Sequence, residues 1–139
     1  MNYNFKKIIV VSLGGSIIYP DQIDIKFLKQ FNSLIRKFIK KGYKFIIITG
    51  GGKPARIFQN AAYQISKIND EDKDWLGIHA TRLNAHLIRT IFRDIADPQI
   101  LDSPKKVLKR KKKLKYSVTI GSGWRPGWST DYVSVQIAA

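Results

Sequence analysis

Two short runs of mostly β-branched apolar residues, each stopped by glycines, constrain this chain more than any other feature. Residues 8–13 (Ile-Ile-Val-Val-Ser-Leu) run into Gly14-Gly15-Ser16, and residues 43–49 run into Gly50-Gly51-Gly52. Continuous runs of this kind mark strands buried on both faces, the usual condition of a parallel sheet. Between them Leu28, Phe31, Ile35 and Phe38 recur at helical spacing, with Lys29, Arg36 and Lys40 on other faces. Pro20-Asp21 marks a turn, Asp24 is placed to cap the helix, and Gly42 stops it just past Lys40-Lys41. Two parallel strands joined by a helix cross over right-handed. This opens an α/β fold and excludes a helical bundle or a β-sandwich.

The remaining pattern extends that reading. Residues 53–67 predict a helix with Pro54 in its first turn and Ala55, Phe58, Ala62 and Ile65 on one side. Residues 69–74 read as a polar loop. Residues 75–96 predict a long helix, with Leu76, Leu83, Leu87 and Ile91 at suitable offsets and Pro98 beyond its end. Residues 116–120 alternate like a strand, residues 121–127 form a third glycine-rich loop, and a last helix begins at Thr130. Its apolar pattern still runs at Val135, Ile137 and Ala138, so a further element or another chain is expected to cover it.

Composition narrows the function. A chain of 139 residues with 44% apolar content suits one domain with a real core. It has no cysteine, which excludes a disulfide-stapled scaffold and a thiolate metal site. No apolar run approaches the roughly 18 residues of a membrane span. Lys6-Lys7 before the first run resembles the start of a signal peptide. But the run is short, breaks at Gly14-Gly15 and meets no small-x-small cleavage site. A strand in a cytoplasmic protein is the expectation. The net charge of +15 points to anionic partners.

If the strands are parallel, the three glycine loops gather on one rim, beyond the carboxyl ends of the strands, where open sheets bind ligands. Glycine exposes backbone N–H groups to a phosphate at close range, and a following helix adds its positive end. Lys53 and Arg56 in a first helical turn oppose the helix dipole by about 0.3–1 kcal/mol each, a placement that an intervening anion would explain. The spacing fits neither a Walker A loop nor a G-x-G-x-x-G fingerprint.

Four segments carry a resemblance. They are Ser12-Leu13-Gly14-Gly15-Ser16; the second strand with Gly50-Gly51-Gly52-Lys53-Pro54-Ala55-Arg56; Asp74-Trp75-Leu76-Gly77-Ile78 with Thr81-Arg82-Leu83-Asn84-Ala85; and Pro126-Gly127-Trp128-Ser129-Thr130-Asp131. In order and spacing they resemble the amino acid kinase superfamily, and within it the archaeal-type uridylate (UMP) kinases. The resemblance implies a three-layer αβα sandwich with a mainly parallel sheet, and transfer of the ATP γ-phosphate to a small acceptor with Mg²⁺. It implies a hexameric homo-oligomer. Gly51, Asp74 and the stretch Trp124, Arg125, Pro126, Gly127, Trp128, Ser129 and Thr130 would face the nucleoside monophosphate. Gly14, Gly15, Ser16, Gly50, Gly52 and Arg56 would face phosphate, with Lys53 or Arg56 supplying charge. Ser12 stands where much of the superfamily has a lysine, and the archaeal-type enzymes lack it too. Trp124 and Trp128 replace smaller or more polar residues, either to stack on a base or to fill the acceptor pocket.

The resemblance makes residues 1–139 the N-terminal, acceptor-binding part of the domain. The ATP-binding part lies C-terminal to it, so the αβα fold is incomplete at its C-terminal end. A fragment, a split protein completed by a second chain, and a degenerate non-catalytic relative all fit, and this chain alone is not expected to transfer phosphate. Lys105, Lys106, Lys109, Arg110, Lys111, Lys112, Lys113 and Lys115 form a basic segment, read either as an RNA-binding surface or as a solvated face. His79 and His86, seven apart on one helix, suit a surface or core better than a metal pair. Asp70, Glu71 and Asp72 read as a solvated loop. Asp131 either stabilises its helix end or meets a ligand.

Overall fold

The computed structural model describes residues 7–139; Lys6 of the charged pair lies outside the described residues. Three strands, β1 (Ile8–Leu13), β2 (Lys44–Thr49) and β3 (Val118–Gly121), form a wholly parallel sheet in the order β1-β2-β3. Six helices complete the described chain: α1 (Gly15–Ile18), α2 (Ile25–Lys40), α3 (Gly52–Ile65), α4 (Asp70–Ile91), α5 (Pro104–Lys111) and α6 (Thr130–Ala138).

Alternation along β2 explains the three layers. Phe45 and Ile47 face one side and pack with Leu28, Phe31 and Ile35 of α2 and Ala85 and Ile88 of α4. Ile46 and Ile48 face the other side and meet Val107 of α5 and Val133 and Ile137 of α6. The αβα layering expected from the sequence is therefore present. Its central strand is β2, which is buried throughout apart from Lys44. β1 differs from expectation. It is an edge strand, and its first four residues are only half-buried, because no neighbour covers its outer side among the described residues.

The helix ends follow local chemistry. The Asp24 carboxylate accepts the Phe27 N–H at 3.0 Å, and Gly42 takes φ +94 beyond α2. Residues 70–74 are helical rather than a loop. The Asn69 side chain accepts the Asp72 N–H at 2.8 Å, and Asp70, Glu71 and Asp72 sit at the positive end of α4. α4 also stops earlier than residue 96. The chain turns after Ile91 so that Ala96 and Leu101 pair beside β3 in isolated parallel bridges. β3 begins at Val118 and is buried on both faces, so the alternation read over residues 116–120 does not mark a solvent side.

The two expected apolar helix faces turn inward only in part: Ala55 is buried, and Leu87 and Ile91 pack against the core. Phe58 and Ile65 of α3 and Leu83 of α4 are exposed. The face of α4 turned inward instead carries Ile78, Ala80, Thr81, Asn84, Ala85 and Ile88. These residues include small and polar ones, which let the helix approach the glycine loops closely.

Two longer-range ties hold the helical layers. Arg36 of α2 grips Asp94 with both terminal nitrogens at 2.8 Å and reaches the Ile91 carbonyl at 3.2 Å. Arg110 of α5 pairs with the buried Asp97 carboxylate. Hydrogen bonding from Arg36 holds the Asp94 carboxyl down to about 2. A carboxyl with a depressed folded-state pKa stabilises above its unfolded value and loses that contribution as pH falls through the folded one. The stability difference between the native chain and Asp94→Ala should be constant above about pH 5 and vanish toward pH 2, as measured by urea unfolding.

The tightest contact in the fold joins the first two glycine loops. A Cβ on Gly15 would overlap the backbone nitrogen of Gly52, and one on Gly50 would lie 2.7 Å from the Gly15 nitrogen. Gly14, its neighbour, has nothing closer than 3.8 Å. Gly15→Ala should therefore lower unfolding free energy by at least about 1–3 kcal/mol, the range of overpacked sites. Gly14→Ala should stay within about 0.5 kcal/mol.

Candidate functional site

Because all three strands are parallel, their glycine loops gather at one end of the sheet. Loop 1 is Gly14-Gly15-Ser16, loop 2 is Gly50-Gly51-Gly52 and loop 3 spans residues 121–127. Loop 2 opens α3 with Gly51 in right-handed backbone (φ −84, ψ −40) and Gly52 at φ +64. A right-handed residue followed by a left-handed one turns successive N–H groups into a shared concavity, a nest suited to an anion. Only glycine adopts the second conformation readily.

Helix α4 braces loops 2 and 3. Asn84 Nδ2 donates to the carbonyls of Gly50 at 2.8 Å and Gly51 at 3.1 Å. Thr81 Oγ1 donates to the Ile78 carbonyl at 2.6 Å and accepts the Gly123 N–H at 2.7 Å. The Thr49 hydroxyl, at the end of β2, donates to the Thr81 carbonyl at 2.8 Å. All three side chains are buried, so each bond is made away from competing water.

Between loop 2, α4 and loop 3 lies a cleft of about 510 Å³. This is within the roughly 300–1,000 Å³ of small-molecule sites. Gly51, Gly52 and Arg56 line one side; Asp74 and Arg125–Thr130 line the other. The Asp74 carboxylate accepts the Gly127 N–H at 3.2 Å, tying α4 to loop 3. Residues 125–128 make a turn closed by the Trp128 N–H on the Arg125 carbonyl at 3.2 Å, with Pro126 second and Gly127 third at φ +88. Ser129 then caps α6, accepting the Tyr132 N–H at 3.1 Å.

The tryptophans do not close the cleft. Trp128 lines it and packs against the core on the α5–α6 side of the sheet. Trp124 is not in the lining; it meets Trp128 edge-on with centroids 4.7 Å apart. The Arg125 guanidinium sits 4.1 Å over the Trp124 ring. A stacked cation of this kind stiffens a loop that glycine would otherwise leave loose.

Other residues singled out in the sequence lie around this cleft rather than in it. Gly14, Gly15 and Ser16 sit behind loop 2, and neither they nor Gly50 of loop 2 line the cleft. Lys53 is paired with Asp21 at 2.8 Å. Ser12 donates to Asp131 at 2.7 Å, fastening the first turn of α6 to the end of β1. His79 and His86 are exposed on α4. In the basic segment, Lys106 pairs with Asp102, Arg110 with Asp97, and Lys111 donates to the Ile137 carbonyl at 2.6 Å. Three of its eight cations therefore have partners within the fold, and Lys109, Arg110 and Lys111 suit the negative end of α5.

Comparison with known proteins agrees with this geometry. The profile of the amino acid kinase family matches residues 7–114. The chain belongs to the amino acid kinase family. Uridylate kinase from Thermococcus sibiricus is 34% identical over 133 residues, covering 94% of this chain and 56% of that protein. Uridylate kinase from Methanosarcina barkeri is also 34% identical, with 94% and 54% covered. The crystal structure of uridylate kinase from Archaeoglobus fulgidus superposes with a TM-score of 0.76 at 26% identity, over 95% of this chain and 57% of that one. UMP kinase from Ureaplasma parvum, 21% identical, shares the fold with a TM-score of 0.74, over 96% of this chain and 62% of that one. The chain spans about half the length of the curated relatives it matches.

In this amino acid kinase chain, Thr81 and Asn84 were legible only as part of a motif, with no role attached. Their signal is two polar residues three apart on the helix face that must turn inward. Gly77 and Ile78, which belong to the same motif, also line the cleft, as does Gln59, which carries no signal in the sequence. Thr81→Val should leave the Gly123 N–H without its acceptor and cost about 1–3 kcal/mol in urea unfolding, most of it regained in Thr81→Ser.

Proposed function

We propose that this chain is the acceptor-binding part of a UMP kinase-like phosphotransferase and that the cleft takes a nucleoside monophosphate, UMP by family. The observation that carries the reading is the meeting, in one cleft, of a backbone nest with Arg56 on one side and Asp74 with the loop 3 turn on the other. The nest and the Arg56 fork would take the phosphate, the fork by paired N–H···O bonds. Asp74 uses one carboxylate oxygen on Gly127, and its other oxygen, unpartnered among the described residues, would accept from a ribose hydroxyl. Trp128 would offer a ring face to the base. Gly15 and Ser16, packed behind Gly52, would lie toward the phosphate being transferred.

In the complete domain an oxygen of the UMP phosphate would attack the γ-phosphorus of ATP. The bond to the β–γ bridging oxygen would break, and ADP would leave. Such transfers need positioning and charge neutralisation more than a covalent nucleophile. ATP with Mg²⁺ is implied by the family. The described residues bring together no group of three or more His, Asp or Glu side chains that would hold a metal. Magnesium in such a transfer would take its ligands chiefly from phosphates and water. The contribution of this chain would be Arg56 and the nest.

Calorimetric titration with UMP, with AMP as the control, should show saturable one-site binding with UMP preferred. Arg56→Ala and Asp74→Ala should each weaken UMP by about ten- to a hundredfold, as expected for loss of a charged hydrogen bond. Unchanged UMP affinity in both folded variants would sink the reading.

A further inference from the structure

We infer that Asn84 is a positioning residue for the acceptor's phosphate, acting through loop 2 rather than by touching the ligand. The inference rests on the nucleotide-binding reading of the cleft and deepens it. Asn84 is 4% exposed, on the inward face of α4, and spends both described hydrogen bonds on successive peptide carbonyls, those of Gly50 and Gly51. The chain has no cis peptide bond among the described residues. In a trans peptide the carbonyl and the following N–H point in opposite directions. Drawing the Gly50 and Gly51 carbonyls toward α4 therefore turns the N–H groups of Gly51 and Gly52 away from it. Neither N–H has a hydrogen-bond acceptor among the described residues, and both glycines line the cleft.

A Gly-Gly-Gly segment has no side chains of its own to choose this orientation over its alternatives. Asn84 supplies the choice. Its amide offers the two donors that two neighbouring carbonyls need, a match that neither Asp nor a hydroxyl can make. The nest is then set before any anion arrives, so binding does not have to order it. Thr81, one turn earlier on α4, holds loop 3 instead and gives a control on the same helix.

The test is an amide-resolved NMR titration of the full chain with inorganic phosphate, UMP and uridine in turn. In the native protein, phosphate and UMP should shift the Gly51 and Gly52 amides. In Asn84→Ala, phosphate and UMP affinity should fall about tenfold or more, the loss expected for a misdirected donor pair, with uridine within about twofold of native. Thr81→Ser should keep the native ratio of UMP to uridine affinity. If Asn84→Ala does not fold, Asn84→Leu, close to asparagine in shape and without donors or charge, carries the same expectation. Equal losses for uridine and UMP would make Asn84 merely structural and overturn the inference, as would unchanged phosphate affinity or native Gly51 and Gly52 amides that ignore phosphate. A native chain that binds phosphate through these amides and loses it in Asn84→Ala, yet prefers UMP no more than AMP, would keep the role of Asn84. It would remove the uridylate reading alone.

Discussion

Everything at the glycine-loop end of this molecule depends on how closely two backbones approach. Loop 1 and loop 2 touch through Gly15 and Gly52 with no room for a single added carbon. Parallel strands bring the two loops side by side, but ordinary residues would hold them a side-chain width apart. Removing both Cβ atoms lets main chain meet main chain, and the left-handed turn at Gly52 follows from the same choice. The cost is conformational freedom, which must be suppressed by something other than local sterics.

Helix α4 provides that suppression with polar rather than apolar contacts. Its inward face carries Ile78, Ala80, Thr81 and Asn84 opposite the loops and Ala85 and Ile88 opposite the sheet. The helix is thus two devices in series along one axis. One part builds core with Ala85 and Ile88, and the other fixes loop backbone through Thr81 and Asn84. A buried polar group costs free energy unless satisfied, so these two positions also specify how α4 is rotated against the rim. The Asp74 contact to Gly127 continues the same logic outward to solvent.

The strand-and-glycine pattern was enough to read the sheet, the crossover helix and the gathering of loops, because burial on both faces and loss of Cβ leave direct marks on composition. The cap at Asp24 and the stop at Gly42 were legible for the same reason. Helix faces were less so. Phe58, Ile65 and Leu83 fit helical spacing, yet the side of the helix that turns inward is decided by small residues that can approach glycine. The first turn of α4 is not legible in its acids, which look the same as solvated loop charge until the helix dipole they stabilise is present. Of the site, Gly51, Gly52, Arg56, Asp74 and Arg125–Thr130 are legible through a resemblance and line one cleft, whereas Trp124, legible with them, does not line it. The pairing of Lys53 with Asp21, distant in sequence, is one that no local pattern reveals.

The aromatic arrangement in loop 3 has an optical consequence. Trp124 and Trp128 lie close enough, at 4.7 Å between centroids, for their indole transitions to couple, and Tyr132 adds a third ring 5.2 Å from Trp128. A coupled pair held in a fixed mutual tilt gives two circular dichroism bands of opposite sign, whose order follows the tilt. The third tryptophan, Trp75, sits apart on α4 beside His79. The junction of loop 3 with α6 therefore carries its own chiral chromophore, and a rearrangement at the mouth of the cleft would be visible without any label attached to the protein.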